Sequence, residues 1–579
     1  MCGIIGITSK ENVKDNLIKC LSNLEYRGYD SVGVYLNKLI KTKGRVNDLV
    51  IPSYLDSKVG LGHSRWATHG DISDKNAHPF ESDNFVLVHN GIIDNYLEYK
   101  EELLLNKYHF KSDTDSEVIL NLLECYYKKY QDEFKTFKST LKLIKGTYAL
   151  GVIFKKDYNK IYFAKKESPL IIGLNESFNF IVSDINSSYF LTNKFIVLND
   201  FEYGYITNEE VKVFSFDKEV KKDILELDVL NKKIDKGEFK HFLIKEIYDE
   251  PLVLKKILDT YTLDNKIMIS DNLIKDLKES KSITILGCGT SYNAGLIGKY
   301  VIESLVKKRV NVYLASEFSN VTLLEEDTVY LFLSQSGETI DLKLAYNLIK
   351  DKSKVYTFSN VLTSSLCMLS KECFDLCGDI EISVASTKAY ISEVTLLIML
   401  GYKLVNLDKD FIDNIYMCIN SINKTLKNDS LIKDLAFKIK DYPSLFYLGK
   451  GIDHLINLES SLKLKEVTYI HSEALYSGEL KHGSIALLSK DSFVIGLLSS
   501  LKNKSSFMNN IKEVDARKSK YFLVSTSCID SDFIFDCPNE YFSSICISSF
   551  YQLLSYYVAL YKGLDIDKPR NLAKSCTVE

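Results

Sequence analysis

The chain has 579 residues, enough for about three or four domains at ~150 residues each, and 73 Lys and Arg stand against 77 Asp and Glu for a net charge of −4. That balance gives no electrostatic footing for nucleic acid or an anionic membrane, and 46% hydrophobic with 26% charged residues excludes disorder as the dominant state. No run approaches the ~20 apolar residues of a bilayer span; Thr395 to Val405 comes nearest and carries Lys403.

The start, Met1-Cys-Gly-Ile-Ile-Gly-Ile-Thr-Ser-Lys10, has no basic stretch and no small-residue cleavage site, so it does not read as a secretory signal. The twelve cysteines lack C-x-x-C spacing, and Cys367, Cys373 and Cys377 have no histidine nearby to complete a zinc site. They are expected to be mostly buried thiols of a cytoplasmic protein without a metal. Short apolar runs predict strands at Ile4–Ile7, Ser31–Tyr35, Val59–His63, Phe85–Val88, Tyr148–Phe154, Ile161–Ala164 and Phe180–Ser183. A helix is predicted over Ser116–Tyr130, with Thr114-Asp-Ser-Glu117 as its capping box. Residues 2–220 therefore read as an α+β layered domain, and the charged helical stretch 221–281 as a connector.

The remainder contains a repeat. Ile283-Thr-Ile-Leu-Gly-Cys-Gly289 is echoed by Leu445-Phe-Tyr-Leu-Gly-Lys-Gly451, and Ser353-Lys-Val-Tyr-Thr-Phe-Ser359 by Ser519-Lys-Tyr-Phe-Leu-Val-Ser525. Each half runs strand, Gly-x-Gly turn, helix, then an apolar strand ending in serine, which predicts two copies of a doubly wound α/β domain at 282–405 and 435–569. In such sheets ligands bind at the carboxyl ends of the strands. Residues 570–579 form a polar tail that ordinarily frays.

Cys2 becomes the first residue if Met1 is removed. Its thiol then lies beside an α-amine that titrates near ~8 and is able to accept the thiol proton. Four of the nine histidines, His63, His69, His78 and His89, and the only Trp, Trp66, fall in one stretch. Arg65, Thr68 and His69 are placed to clamp a carboxylate, the alternative being a surface turn around a packed Trp. Asn90 and the Gly91 N–H are candidates for an oxyanion hole, the alternative being an Asn-Gly hairpin turn. Asp115 is a candidate for holding an ammonium, the alternative being helix capping.

Ser334-Gln-Ser-Gly-Glu-Thr339 follows an apolar strand and precedes a helix beginning near Asp341, a composition suited to cradling the phosphate of a small molecule, or to capping a helix. Cys288-Gly-Thr-Ser291 and Val384-Ala-Ser-Thr-Lys388 are two further loops at strand ends. Glu459, Lys463 and Glu466 share one helical face, as a proton-carrying set or as a solvated ion-pair stripe. His482 stands between glycines in Gly478-Glu-Leu-Lys-His-Gly483.

In order along the chain, Met1-Cys-Gly-Ile-Ile-Gly, Leu24-Glu-Tyr-Arg-Gly-Tyr-Asp-Ser31, Ser64-Arg-Trp-Ala-Thr-His-Gly70, Asn76-Ala-His-Pro79, His89-Asn-Gly91 and Thr114-Asp115 resemble the amino-terminal-nucleophile glutamine amidotransferases. The Tyr26-Arg-Gly-Tyr-Asp-Ser31 version is similar to that of the glutamine–fructose-6-phosphate aminotransferase family, bacterial type, and the later motifs resemble its paired sugar-isomerase (SIS) domains. The resemblance implies an amino-terminal-nucleophile glutaminase layer domain followed by two SIS domains, working as a cytoplasmic homodimer on glutamine and fructose-6-phosphate, without cofactor or metal. It implies that Cys2 attacks the glutamine amide and that Asn90 and Gly91 stabilise the oxyanion. Arg65, Thr68 and His69 would hold the glutamine carboxylate, Gly91 and Asp115 its amino group; Arg27 would order the loop at the thiol, and Trp66 would gate an ammonia path.

For the sugar phosphate the resemblance implies Cys288, Gly289, Thr290, Ser291, Ser334, Gln335, Ser336, Thr339, Val384 and Ser386. Lys574 would form a Schiff base at carbon 2, Glu466 would move a proton between carbons 1 and 2 with Lys463 beside it, and His482, from the other subunit, would assist ring opening. The product would be glucosamine-6-phosphate, the first step of hexosamine synthesis. Two departures stand out: Gly378-Asp-Ile-Glu-Ile-Ser383 carries fewer glycines than the bacterial pattern, and Cys576 replaces a Val. The short connector argues against the nucleotide-sugar feedback site of eukaryotic members. The rival reading, a fructosamine-phosphate deglycase or deaminase built on the same sugar domains, leaves the amino-terminal motifs unexplained.

Overall fold

Alternation at period two sets the layers of the amino-terminal half. Ile5 and Ile7 face one way and Ile4 the other along the strand Gly3–Ser9, and Val86 and Val88 oppose Phe85 and Leu87 along Phe85–Ile93. The computed structural model describes residues 2–67, 70–227, 236–321, 323–351, 353–526 and 531–574. It divides into two compact units, Met1–Lys233 with Ala573–Glu579, and Ile234–Leu572.

The first unit contains an eight-stranded and a seven-stranded sheet, both antiparallel. Ile4, Leu61, Val86, Val88, Ala149, Ile161 and Ile181 interdigitate between the sheets. On the outer face of the first sheet lies the helix Lys14–Leu24, whose buried Leu17, Cys20, Leu21 and Leu24 follow helical spacing. Val118, Ile119, Leu122 and Leu123 of the helix Ser116–Tyr130 cover the second sheet over Phe85 and Leu87. The result is a helix–sheet–sheet–helix sandwich with Gly3–Ser9 inside the first sheet, paired to Val59–Arg65 on one side and Phe178–Val182 on the other. The capping box differs from expectation: Asp115, the N-cap residue, makes no side-chain cap. Glu117 instead accepts the N–H groups of Lys111 (2.8 Å) and Ser112 (2.6 Å), pinning the incoming loop.

The second unit contains two five-stranded parallel sheets of identical strand order. The first runs Arg309–Leu314, Ser282–Gly287, Thr328–Leu333, Lys354–Ser359, Glu372–Asp375; the second runs His471–Tyr476, Ser444–Gly449, Phe493–Leu498, Lys520–Thr526, Phe533–Phe535. In each, the first strand in sequence lies between the second and the third, so the connections leave in opposite directions and open a crevice at their carboxyl ends. Helices Phe242–Tyr248, Glu250–Tyr261 and Asp271–Glu279, from the stretch expected to be a connector, bury Leu243, Ile247, Leu254, Ile257, Leu273 and Leu277 in this unit's core. Leu225–Glu226, from the same stretch, pairs with Lys194–Val197 in the first unit. The charges of this stretch mark the outer faces of amphipathic helices rather than a linker. Cys367 and Cys373 are not free thiols: their Cα atoms lie 5.0 Å apart across the turn from Ser365–Leu369 to Glu372–Asp375, and they form a disulfide. Among the described residues no helix is long and apolar enough to cross a membrane.

Asp276, buried on Asp271–Glu279, ties that helix to the first parallel sheet. Its carboxylate meets Lys354 Nζ at 2.6 Å, Tyr356 Oη at 2.6 Å and Lys371 Nζ at 2.7 Å. Burial opposes ionisation of Asp276, but these three donors outweigh it and hold the carboxyl below its usual range. A depressed carboxyl stabilises the fold above its unfolded pKa and loses that contribution as pH falls through the folded one. Asp276→Asn is therefore expected to cost about 1.5–3 kcal/mol at neutral pH. The gap from wild type should narrow as pH drops below about 4, as read by denaturant unfolding of the full chain across pH.

Candidate functional sites

Cys2 stands immediately before the central strand Gly3–Ser9. Its Sγ receives the Trp66 N–H at 3.3 Å and lies 3.4 Å from the Trp66 carbonyl, so the end of the neighbouring strand Val59–Arg65 holds the thiol through its backbone. Burial pushes the Cys2 thiol up, with the Trp66 N–H and the Arg65 guanidinium pulling the other way. Asn90 and Gly91 do not form a hairpin turn; the strand runs on through Ile93, with Asn90 opposite Ala149 and Gly91 opposite Tyr148. Gly91 adopts φ +126°, and a Cβ there would lie 2.0 Å from the Thr147 carbonyl oxygen, so only glycine fits. Asn90 Nδ2 donates to the Cys2 carbonyl at 2.8 Å, placing this amide at the nucleophile with one N–H to spare.

Arg65 is buried, and its guanidinium donates to the carbonyls of Asp71 (3.3 Å) and Gly70 (3.4 Å), closing the loop that follows. Asp30 accepts the Ala67 N–H at 2.8 Å and fixes the other flank. Arg27 is buried and bound to Asp184 (2.7 Å) and the Ser183 carbonyl (3.1 Å), anchoring the turn before Ser31–Tyr35. Asp115 Oδ2 accepts the Ile93 N–H at 2.8 Å, which locks the end of the Asn90–Gly91 strand and is not a helix cap. Thr68 and His69 lie outside the described residues.

In the second unit Ser334 follows Thr328–Leu333, and its Oγ lies 2.9 Å from Thr339 Oγ1 and accepts the Gly337 N–H at 3.1 Å. Ser336 Oγ accepts the Glu338 N–H at 3.2 Å, and Thr339 is the N-cap residue of Ile340–Ile349. Gly337 turns the loop at φ +64°, where a Cβ would fall 1.9 Å from Ser364 Oγ. Gln335 accepts the Asn360 N–H through its carbonyl at 3.2 Å. Glu338 points into the protein, paired with Lys343 at 2.6 Å and taking the Ser365 N–H at 2.8 Å.

Cys288 and Gly289 form the turn after Ser282–Gly287; burial and Asp341 push the Cys288 thiol up to about 12, which makes it an inert packing group. Thr290 and Ser291 open the helix Thr290–Val306, and their hydroxyls donate to Glu459 (3.0 Å) and Glu393 (2.8 Å). Glu381 holds the third loop, accepting Ser386 Oγ at 3.0 Å and the Thr387 N–H at 2.9 Å, while the Val384 N–H donates to the Asp567 carbonyl at 3.1 Å.

Lys463 is buried between Glu466 at 2.6 Å and Glu459 at 3.4 Å and donates to Thr290 Oγ1 at 3.0 Å. The three are therefore an interior cluster and not a solvated stripe. Burial works against the Lys463 charge, yet Glu466 and Glu459 outweigh it and push the ammonium up to about 12; burial also raises Glu459. His482 is not part of this set and stands exposed on the turn Glu479–His482. Lys574 is half-buried and groups with the first unit, and Cys576 lies outside the described residues. Among the described residues no cluster of His, Cys, Asp and Glu could hold a metal ion. Glu393 and Glu381 escaped sequence reasoning; the signal for Glu393 was its standing as the one acid in the apolar helix Lys388–Leu404.

A layered sandwich with a cysteine at the head of its central strand, followed by a doubled parallel sheet with hydroxyl-lined strand ends, is the arrangement expected of a glutamine amidotransferase domain joined to a pair of SIS domains. Residues 1–183 match the glutamine amidotransferase domain family, and residues 276–402 and 438–531 the SIS domain family. Over the full length of both chains this one is 38% identical to a glutamine–fructose-6-phosphate aminotransferase (isomerizing) of Geobacillus kaustophilus, 37% to that of Bacillus subtilis and 39% to that of Fusobacterium nucleatum. A solved structure, the C-terminal domain of glucosamine-fructose-6-phosphate aminotransferase from Francisella tularensis, is 30% identical at a TM-score of 0.55, covering 57% of this chain and 99% of that one. The chain belongs to the glutamine–fructose-6-phosphate aminotransferase family.

Removing Lys463 leaves Glu459 and Glu466 facing each other in the interior. Lys463→Met is expected to destabilise by about 3–5 kcal/mol at neutral pH, with partial recovery toward pH 5 as one carboxyl takes up a proton. Denaturant titration at the two pH values checks this.

Proposed function

We propose that the chain converts fructose-6-phosphate and L-glutamine to glucosamine-6-phosphate and glutamate. The observation that supports this most directly is the Cys2 thiol seated on the Trp66 peptide with the Asn90 amide beside it, on the same chain as the Ser334–Thr339 cradle. Cys2 Sγ attacks the glutamine side-chain amide, its proton passing to the α-amine exposed once Met1 is removed. The oxyanion is met by the remaining Asn90 Nδ2 proton and the Gly91 N–H. Collapse releases ammonia, and water cleaves the thioester to glutamate. Arg65, Thr68 and His69 take the glutamine carboxylate, Gly91 and Asp115 its ammonium; Arg27 orders the loop and Trp66 gates the ammonia.

In the sugar domains the hydroxyls of Ser334, Ser336 and Thr339, with the Gln335 loop, receive the phosphate at the amino terminus of Ile340–Ile349. Cys288, Gly289, Thr290, Ser291, Val384 and Ser386 line the remaining strand ends. Lys574 forms a Schiff base at carbon 2 of the opened sugar, and ammonia replaces it there. Glu466 then carries a proton from carbon 1 to carbon 2, with Lys463 holding its charge. His482, contributed by the second subunit of a cytoplasmic homodimer, opens the ring.

Incubation with both substrates and identification of the products tests the whole reading. Cys2→Ala is expected to abolish glutamine-dependent synthesis, and retention of Met1 on fully active enzyme, seen by mass spectrometry, would sink the nucleophile assignment. Lys574→Arg keeps the charge but cannot form an imine. It is expected to abolish glucosamine-6-phosphate formation while glutamine hydrolysis persists, and borohydride with fructose-6-phosphate should trap sugar on the wild type alone. Normal synthesis by Lys574→Arg overturns its role.

A further inference from the structure

Two buried imidazoles, His63 and His78, lie behind Asn90, apart from the groups assigned to glutamine. His63, fully buried at the end of Val59–Arg65, stacks on His78 with ring centroids 4.2 Å apart, and Phe80 backs His78 at 4.4 Å. His63 Nε2 lies 3.2 Å from the His89 carbonyl oxygen and 3.0 Å from Asn90 Oδ1. His63 Nδ1 and both His78 nitrogens are buried without a hydrogen-bond partner among the described residues.

Two backbone carbonyls settle the proton positions. The His89 carbonyl only accepts, so His63 Nε2 carries the proton and Nδ1 is bare. The Cys2 carbonyl only accepts, so the Asn90 edge facing it at 2.8 Å is the NH₂ and the edge facing His63 is the oxygen. A flipped Asn90 would set two oxygens against each other at Cys2 and two N–H groups at His63. Burial, with Arg65 nearby, drives His63 down to about 3, so the ring stays neutral with one proton to give.

We propose that His63 is a positioning residue for glutamine hydrolysis: its Nε2–H, held by the ring stacked on His78, fixes the Asn90 amide so that an N–H faces the oxyanion. This rests on the glutaminase reading above. The Nε2–H bond holds the oxyanion donor through its other edge, so losing it loosens the transition-state contact and not the contacts to glutamine's carboxylate or ammonium.

The side-chain amide of Gln reaches the position of Nε2, whereas that of Asn reaches only the position of Nδ1. His63→Asn in the full chain is expected to lower kcat for glutamine hydrolysis by about 10²-fold with KM for glutamine changed less than about threefold. His63→Gln is expected to recover kcat to within about tenfold of wild type. Alkylation of Cys2 by iodoacetamide, which needs no oxyanion hole, should proceed at the wild-type rate in both. In an Asn90→Ala background, adding His63→Asn should cost nothing further, because the group it positions is gone. A wild-type kcat in His63→Asn, a Gln variant as impaired as the Asn variant, or full additivity with Asn90→Ala overturns the proposal. Absence of glutamine hydrolysis in the wild type would instead remove the reading beneath it.

Discussion

The amino-terminal strand is an interior strand, and the glutaminase half depends on that constraint. Gly3–Ser9 is hydrogen-bonded on both edges and covered on both faces, so the residue just before it cannot fray as chain ends usually do. Cys2 thereby inherits the rigidity of the sheet. The groups around it come from strands for the same reason: Trp66 from the end of Val59–Arg65, and Asn90 and Gly91 from within Phe85–Ile93. Loops alone would not hold a thiol and an amide donor in a fixed relation.

The sugar half solves a different problem. Parallel strands end together, and the crevice between oppositely directed connections gathers hydroxyls and N–H groups on one side. Beside these groups stand the buried acids Glu381, Glu393 and Glu459 and the partly buried Glu338, each accepting from its own donors. Glu246 extends the pattern by taking the N–H groups of Ile382 (2.6 Å) and Ser383 (3.3 Å), which steadies a loop short of glycine. The acids fix the loops from behind without offering a free charge to an incoming phosphate.

The two parallel sheets share one strand order but fill their strand ends differently. Ser291 opens the helix after the Gly-x-Gly turn in the first copy; the second copy has Asp453 there, fully buried and accepting the Ser499 N–H and hydroxyl. Burial raises this carboxyl to about 7. One acidic side chain fills the strand end that its counterpart leaves to small hydroxyls.

Sequence alone determined the layered and doubled architecture, because period-two alternation and the echo of Gly287-Cys-Gly289 in Gly449-Lys450-Gly451 are local signals. The helix Ser116–Tyr130 and the strand Ser31–Tyr35 fall where periodicity puts them. The motifs around Cys2 and Ser334 were legible as well, since small, hydroxyl and amide residues in fixed order carry their own chemistry. Local patterns misled where partners are distant: Asn90-Gly91 spells a turn but is strand, held by pairing with Gly146–Phe154. The charges of 221–281 spell a connector, yet Asp276 is fixed by Lys354, Tyr356 and Lys371 from a sheet far along the chain. What only the tertiary structure decided is the direction of each polar group. The edge of Asn90 that faces Cys2 and the proton on His63 depend on which carbonyls the fold brings within 3.2 Å, and spacing along a chain does not encode that.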